Sequence, residues 1–172
     1  METENSVEET TNLRSFERFY SEQRRPLIAL AYAVSGRVAA EDLAQETLMA
    51  AYQAWDQIRQ KDNPGTWVRR ILLNKASSYH RRRLVEAKVM LKGFVGVDRV
   101  EFPEVTGDIE RIWAEVRRLP QRQTEVIALS YLDDLSQVEI ARVLGISKES
   151  VATHMRRARQ TLARVLGIEE EL

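Results

Sequence analysis

Residues 135–162 read "LSQVEIARVLGISKESVATHMRRARQTL" and contain two apolar-striped segments separated by a glycine. Ser136 stands where a helix N-cap would lie, and Glu139 follows it at the spacing of a capping box. Gly145 is the residue type best able to adopt the positive φ that ends a helix in a tight turn, and Ser147 can cap a second helix. The stretch therefore predicts two helices joined by a short turn.

Each of these two helices has one predicted apolar face. The inward stripe of the first consists of Val138, Ile140, Ala141 and Leu144, and that of the second of Val151, Met155, Ala158, Leu162 and Val165. The opposite face of the second carries Glu149, Thr153, Arg156, Arg157 and Gln160. A small residue at the crossing, a glycine turn and outward arginines are what a helix-turn-helix needs to enter a DNA major groove. A helical hairpin with a solvated arginine face is the alternative, but the combination of features favours DNA reading.

Composition limits the remaining possibilities. The chain has 172 residues, of which 44% are hydrophobic and 30% charged, as is usual for one or two small globular domains. It has no cysteine, which excludes disulfides, zinc–thiolate sites and thiol catalysis. The first twelve residues are acidic and polar, and no apolar run is long enough to span a bilayer. We therefore expect a cytoplasmic location without membrane insertion.

The formal net charge is zero, but the charges are segregated along the chain. Residues 69–92 contain eight cations and one anion, Glu86. Acidic residues collect in residues 1–12, 98–110 and 169–171. This separation predicts one surface for nucleic acid and another surface for a different partner.

The distribution of helix breakers predicts the domain organisation. Residues 91–108, "LKGFVGVDRVEFPEVTGD", combine three glycines and a proline without a sustained period, which is typical of a linker. No stretch has the pattern of a strand. We predict an all-α fold of two small helical domains joined by a flexible linker, the second a four-helix domain containing the helix-turn-helix. The boundaries are an acidic disordered tail at 1–12, a first domain at 13–92, a linker at 93–107, a second domain at 108–168 and an acidic tail at 169–172.

The first domain is predicted to contain three helices. Residues 15–36 form the first, with a start or kink at Pro26, and residues 39–58 form a long amphipathic second helix. The second helix should bury Leu43, Thr47, Leu48, Ala51, Trp55 and Ile58, and expose Asp42, Gln45, Glu46, Met49, Gln53 and Asp56. An exposed methionine among carboxylates suits a protein docking site that repels DNA, although a merely solvated face is the alternative.

The third helix is the second candidate for nucleic-acid contact. Asn63 fits as its N-cap and Pro64 as its first residue, and the run Arg81–Arg83 is expected to end it. Arg70, Asn74, Ser77 and Arg81 recur at helical spacing along one polar edge. Such an edge after a loop can contact phosphates and hold unpaired bases, and a merely solvated edge is the alternative. Trp67 is predicted to pack inside.

Together these blocks resemble a bacterial RNA polymerase sigma factor of the extracytoplasmic-function (ECF) type in the sigma-70 family. The resemblance extends from Phe16 to Leu166 and rests on "AEDLAQETLMAAYQAW", "NPGTWVRRILLNKASSYHRRR" and "LPQRQTEVIALSYLDDLSQVEIARVLGISKESVATHMRRARQTL". It implies a transcription initiation factor whose first domain binds the clamp of the beta-prime subunit and reads and melts the minus-ten element. The second domain would bind the beta flap and read the minus-thirty-five element. Core RNA polymerase, promoter DNA and an anti-sigma protein are the implied partners, with no cofactor.

The resemblance also assigns site residues. The polymerase-binding face corresponds to Asp42, Gln45, Glu46, Met49 and Gln53. The base-holding loop and the helix behind it correspond to Asn63, Arg69, Arg70, Asn74, Ser77 and Arg81, and the minus-thirty-five contacts to Lys148, Glu149, Thr153, Arg156 and Arg157. The sequence has Ser78 where the family often has Asp, and Ala152 where it often has a basic residue. Base preferences are therefore not carried over.

Two other classes of protein compete with this interpretation. The second half is also similar to the DNA-binding domain of response regulators, which would make the chain an operator-binding regulator, but that class needs an α/β receiver in the first half. An enzyme acting on nucleic acid would need convergent groups. The carboxylate pairs Glu41/Asp42 and Asp133/Asp134 diverge on their helices, and His80 and His154 lie on separate helices. We therefore predict no catalytic residue and no metal site.

Overall fold

The computed structural model describes residues 2–93 and 107–167, and this part of the chain consists of helices and short connections with no strand. The helices are α1 (Glu2–Ser35), α2 (Arg37–Gln53), α3 (Trp55–Ile58), α4 (Pro64–Gly93), α5 (Asp108–Arg118), α6 (Gln121–Leu132), α7 (Gln137–Leu144) and α8 (Lys148–Leu166). The predicted all-α fold is confirmed. The interior of the predicted linker and the predicted tail at 169–172 lie outside the described residues.

Helix α1 is longer than the sequence pattern predicted. It begins at Glu2 and passes through Pro26 without ending, so the prediction of a disordered tail at 1–12 is wrong for residues 2–12. This segment contains neither glycine nor proline, and it continues a helix that Phe16 and Phe19 anchor against Trp55. Pro26 removes one backbone donor, but Leu27 beside it is fully buried, which compensates for the loss.

The predicted second helix is divided at Ala54, which has φ −106° and ψ 16°. Beyond the break, Trp55 still faces inward, where its indole Nε1 donates a 2.8 Å hydrogen bond to Ser15 Oγ. The predicted buried positions of α2 and α3 are all buried, and the predicted outer positions, including Asp56, are all exposed. The amphipathic pattern was therefore correct although the helix is not continuous.

Helix α4 begins as predicted but ends later. The Thr66 backbone N–H donates to Asn63 Oδ1 at 3.1 Å, so Asn63 is the N-cap. The helix continues to Gly93, and the expected end at Arg81–Arg83 is wrong. No glycine or proline follows Arg83 until Gly93, so nothing in the sequence stops the helix earlier.

The helix-turn-helix has the predicted caps. Ser136 N–H donates to Glu139 Oε2 at 2.8 Å while Glu139 N–H donates to Ser136 Oγ at 3.3 Å, which completes the capping box. Hydrogen bonds to the Glu139 carboxylate, first from the Ser136 side chain and then from the Ser136 backbone N–H, lower the pKa of Glu139. Gly145 ends α7 at φ 65°, and Ser147 Oγ accepts from the Ser150 N–H at 3.1 Å. The local prediction of two capped helices around a glycine is confirmed.

Two residues were wrongly predicted to lie in the core of this motif. Val138 and Val165 are exposed, and Val143 is buried instead. Val138 lies in the first turn of α7 and Val165 in the last turn of α8. The inward stripe of α7 therefore consists of Ile140, Val143 and Leu144, and that of α8 of Val151, Met155 and Ala158.

The two halves of the molecule pack against each other. Helix α1 contacts α5 and α6, and α4 contacts α7. The buried apolar side chains of both halves belong to one continuous cluster, with Leu30 and Leu72 on one side and Val116 and Leu129 on the other. The predicted nucleic-acid edge of α4 therefore lies beside the second half of the chain.

Candidate functional site

The outward face of α8 is available to a ligand. Val151 and Ala158 are fully buried and fix the helix on α6 and α7, so the opposite side points to solvent. Of the predicted contact residues on this face, Thr153 is half-buried and the others are exposed: Lys148, Glu149, Arg156 and Arg157. Neither Arg156 nor Arg157 pairs with another side chain among the described residues. Two unpaired guanidinium groups on one outer face suit recognition of phosphate or of guanine edges.

The polar edge of α4 is divided into an open part and a covered part. In the open part, Asn63, Asn74 and Arg81 are exposed, and Ser77 is half-buried. Arg81 donates to the neighbouring Ser78 Oγ at 3.1 Å, a contact that leaves most of its donors free. The open part of the edge can therefore contact a nucleic acid directly.

Trp67 lies on the surface near this edge, so the prediction that it packs inside is wrong. Its side chain is 40% exposed, and Lys61 Nζ lies 5.2 Å from the ring centroid. The next residue, Val68, occupies the inward direction and is fully buried, which turns Trp67 outward by about a quarter of a turn. An exposed aromatic ring beside a lysine can stack on an unpaired base.

Arg69 and Arg70 form the covered part, in which Arg69 is largely buried and Arg70, although exposed, is bonded to the second half of the chain. Arg69 donates to both carboxylate oxygens of Asp133, from Nε and from Nη2, each at 2.9 Å. Arg70 donates to the backbone carbonyls of Val143 at 3.1 Å and of Arg142. Sequence analysis placed both arginines with Asn74 on a DNA surface, but the structure joins them to the second half of the chain. The missed partner, Asp133, had been considered only as half of a carboxylate pair.

The outer face of α2 carries the predicted polymerase contacts. All five are exposed: Asp42, Gln45, Glu46, Met49 and Gln53. Glu46 forms a surface ion pair with Lys75, with Oε2 and Nζ 3.3 Å apart. Asp42 has no described partner. The sequence therefore predicted the exposure of this face correctly, but it did not predict the ion pair to α4.

Beside this face lies an apolar groove between α1 and α2, with a volume of about 540 Å³. Its lining includes the polar Gln45 and Gln53 at one edge and the following apolar side chains: Leu13, Phe16, Tyr20, Ile28, Leu48, Met49 and Tyr52. An exposed leucine side chain and exposed tyrosine rings next to an acidic stripe are characteristic of a protein-binding surface. The sequence signal for the groove is the helical spacing of Leu13, Phe16 and Tyr20.

The described residues contain no group of three or more potential metal ligands, and none of their helices could cross a membrane. The carboxylate of Asp133 forms an ion pair with Arg69, and that of Asp134 has no described partner. The two carboxylates of this pair therefore lie in different surroundings.

Comparison with known proteins identifies the family of the chain. The family model of sigma-70 region 2 matches residues 19–84, and that of sigma-70 region 4 matches residues 109–162. The RNA polymerase sigma factor CnrH of Cupriavidus metallidurans is 30% identical over 144 residues, which are 76% of this chain and 75% of that protein. The chain belongs to the ECF sigma factors of the sigma-70 family. Another relative, the ECF sigma factor SigW of Bacillus subtilis, is 28% identical over 154 residues, 80% of this chain and 81% of that protein.

Solved structures of other sigma factors have the same fold. The sigma factor RpoE, in complex with the anti-sigma factor NepR from Bartonella quintana, matches with a TM-score of 0.76 and 26% identity, covering 91% of this chain and 99% of that one. CnrH in complex with the cytosolic domain of CnrY matches with a TM-score of 0.66 and 25% identity, covering 92% and 91%.

As an ECF sigma factor, the protein is a promoter-specific transcription initiation factor, in a family whose members are not enzymes. Helices α2 and α3 and most of α4 lie inside the region 2 match, and the helix-turn-helix lies inside the region 4 match. The response-regulator alternative is wrong, because region 2 stands where a receiver domain would be and residues 2–93 contain no strand.

Proposed function

We propose that this sigma factor binds its partners through three surfaces. Helix α8 contacts the minus-thirty-five element, α4 with the preceding loop contacts the minus-ten element, and the α2 face binds core polymerase. The observation that carries the proposal is the separation of charge. The exposed face of α2 is acidic, whereas the outer face of α8 and the edge of α4 are rich in arginine. DNA favours the basic surfaces and is repelled by the acidic one.

The assignment on α8 is supported by its anchoring and by its free donors. A recognition helix reads bases from its N-terminal half, and the exposed Lys148 and Glu149 begin α8. Arg156 and Arg157 follow two turns later. Thr153, half-buried between these groups, is positioned to restrict which base edge fits.

The assignment on α4 is supported by the combination of amide, guanidinium and aromatic groups at one edge. Asn74 offers a paired donor and acceptor that match base edges, Asn63 offers its amide donors while its Oδ1 caps α4, and Arg81 matches a phosphate. Trp67 adds an exposed ring on which an unpaired base can stack. An initiation factor must offset the few kcal/mol that unstacking a base costs, and such groups supply that energy.

The assignment on α2 rests on the acidic stripe and on the adjacent apolar groove. A basic amphipathic helix of the polymerase would place its cations against Asp42 and Glu46 and its apolar side chains in the groove. We propose the beta-prime clamp as this partner and the beta flap as the partner of the second domain.

Because RNA polymerase acts in the bacterial cytoplasm, we infer that this protein acts there as well. RpoE was solved with the anti-sigma factor NepR and CnrH with the cytosolic domain of CnrY, and we propose that this chain is also held by an anti-sigma protein.

Charge reversal on α2 tests the proposal. Asp42→Lys loses no described partner, and Glu46→Lys loses one surface ion pair, which contributes roughly 0.2–1 kcal/mol. The double variant should therefore stay folded, as a thermal melt would show, while its recovery of core polymerase in a pull-down falls to background. The matched control is Glu22→Lys with Glu86→Lys, which makes the same charge change at exposed positions without a described ion pair.

Wild type and the control should retain core polymerase equally. A folded Asp42→Lys/Glu46→Lys variant that recovers as much core polymerase as wild type would refute the α2 assignment. Loss of binding in both double variants would show that net charge, rather than the α2 face, determines the association.

A further inference from the structure

Three arginines join the two halves of the molecule, and two of them belong to the proposed minus-ten surface. Arg69 and Arg70 reach from α4 to the turn after α6 and to the end of α7. In the opposite direction, Arg117 of α5 donates to the Tyr32 carbonyl at 3.2 Å and lies 5.4 Å from the Tyr32 ring centroid. The charged contacts thus lie on both sides of the shared apolar cluster.

The contact between Arg69 and Asp133 is buried and bidentate. The Arg69 side chain is 13% exposed and that of Asp133 is 3% exposed. Arg69 also donates to Gln23 Oε1 at 3.1 Å and to the Gly65 carbonyl at 3.0 Å, so its donors are largely used. Two parallel N–H···O bonds to a carboxylate have the geometry that a guanidinium adopts toward a phosphate. Asp133 therefore occupies Arg69 in the way that a DNA phosphate would.

Arg70 forms a second contact between α4 and the second half of the chain. The carbonyls of Arg142 and Val143 lie in the last turn of α7, where a helix has no internal donors left and carries partial negative charge. The guanidinium of Arg70 supplies both missing donors. The first helix of the helix-turn-helix is thus capped by a residue of the proposed minus-ten surface.

We propose that Asp133 is an intramolecular substitute for DNA phosphate that holds the free protein closed and withholds Arg69 and Arg70 from nucleic acid. This inference rests on the proposed function of the α4 edge. Opening separates α4 from α7, releases both arginines together and leaves the face of α8 unchanged. The recognition helix α8 is accessible in the closed form, whereas Arg69 and Arg70 of the minus-ten surface are available to nucleic acid only in the open form.

Removing the Asp133 charge destabilises the closed form specifically. Asp133→Asn keeps the shape of the side chain but leaves the buried Arg69 cation without a counter-charge, which favours opening. Asp134→Asn is the matched control: the neighbouring residue is exposed, has no described partner and has φ 51°, a conformation that Asn tolerates. Both changes remove one negative charge from the same turn.

The conformation is measured by energy transfer between two dyes. The chain has no cysteine, so Gln57→Cys on α3 and Gln160→Cys on α8, both exposed, allow specific labelling of the full-length protein. Asp133→Asn should lower the transfer efficiency, and Asp134→Asn should leave it at the wild-type value. Arg69→Gln should lower it as Asp133→Asn does, and the combined variant should add nothing, because both changes break one contact.

DNA binding by the free protein gives the second readout. A fluorescein-labelled single strand of mixed sequence serves as probe, because phosphate contacts do not depend on sequence. If the open form is about a tenth of the wild-type population and Asp133→Asn opens nearly all of the protein, the variant should tighten the apparent Kd by about tenfold. Asp134→Asn should bind like wild type.

Equal transfer efficiency and equal affinity for wild type, Asp133→Asn and Asp134→Asn would overturn the proposal. Additive effects of Arg69→Gln and Asp133→Asn would also overturn it, since they would act through different contacts. Pull-down and transcription with core polymerase report separately on the proposed function. An opened Asp133→Asn protein that never binds core polymerase would refute that function alone, and full transcription without any opening would refute the phosphate substitute alone.

Discussion

Arg156→Ala and Arg157→Ala should weaken promoter engagement without weakening the fold. Neither guanidinium pairs with another described side chain, and both residues are exposed on α8. The expected change in the free energy of unfolding is therefore about 0.5 kcal/mol or less. If an arginine reads a base edge, its loss costs about 1–3 kcal/mol of promoter affinity, which corresponds to roughly 5- to 150-fold.

The assay is binding of the holoenzyme to a labelled natural promoter, with transcript yield measured in parallel. Arginine-to-lysine variants separate the two kinds of contact, because lysine keeps the charge but loses the bidentate geometry. A base-reading arginine should fail as lysine, and a phosphate-contacting arginine should be largely rescued. Salt titration adds a second criterion, since loss of a phosphate contact lowers the salt dependence by about one unit of slope.

The control is Arg164→Ala, which removes an exposed arginine from the last turn of the same helix, beyond the half that enters a groove. It should bind the promoter nearly like wild type. If both Arg156→Ala and Arg157→Ala bound and transcribed their natural promoter at the wild-type level, the assignment of the α8 face to the major groove would be refuted.

Two further predictions concern α4 and the capping box. Asn74→Ala should reduce transcription from a duplex promoter more than from a template with a pre-melted bubble, and equal losses on both templates would contradict a role in melting. Ser136→Ala should lower the free energy of unfolding, measured with urea at neutral pH, by about 1 kcal/mol. Because hydrogen bonds to Ser136 lower the pKa of Glu139, the ionised form is favoured by folding. Its stabilisation is therefore complete above its ordinary pKa and is lost as pH falls through the lowered value. In the Ser136→Ala variant, the free energy of unfolding should depend less on pH in this acidic range. An unchanged pH dependence would show that the capping box is not its cause.

The features predicted correctly from sequence are those that neighbouring residues determine. A capping box needs only Ser136 and Glu139, and the turn needs only Gly145, so both could be recognised without knowledge of the fold. The outward stripe of α2 followed in the same way from helical periodicity, because Asp42 and Glu46 lie one turn apart. Local chemistry was therefore sufficient for the helix-turn-helix and for the exposure of the acidic face.

The features that were missed depend on distant parts of the chain. Arg69 and Asp133 are 64 positions apart, and no local pattern indicates that they meet. The exposed Trp67 and Val165 were assigned by residue type and period, but Val68 takes the inward direction beside Trp67, and Val165 lies in the last turn of α8. The helical start of α1 also depends on tertiary contact, since Phe16 and Phe19 anchor it on Trp55. Packing between the two halves therefore determines the burial and the long-range contacts that helical periodicity does not predict.

The most direct test of initiation by this protein is run-off transcription from genomic DNA with purified core polymerase, with and without this chain. The account predicts discrete transcripts that require both components, with start sites at a fixed distance from shared minus-thirty-five and minus-ten elements. Binding of the chain to DNA that lowers transcription by another holoenzyme, with no transcript initiated by core polymerase and this chain together, would contradict it.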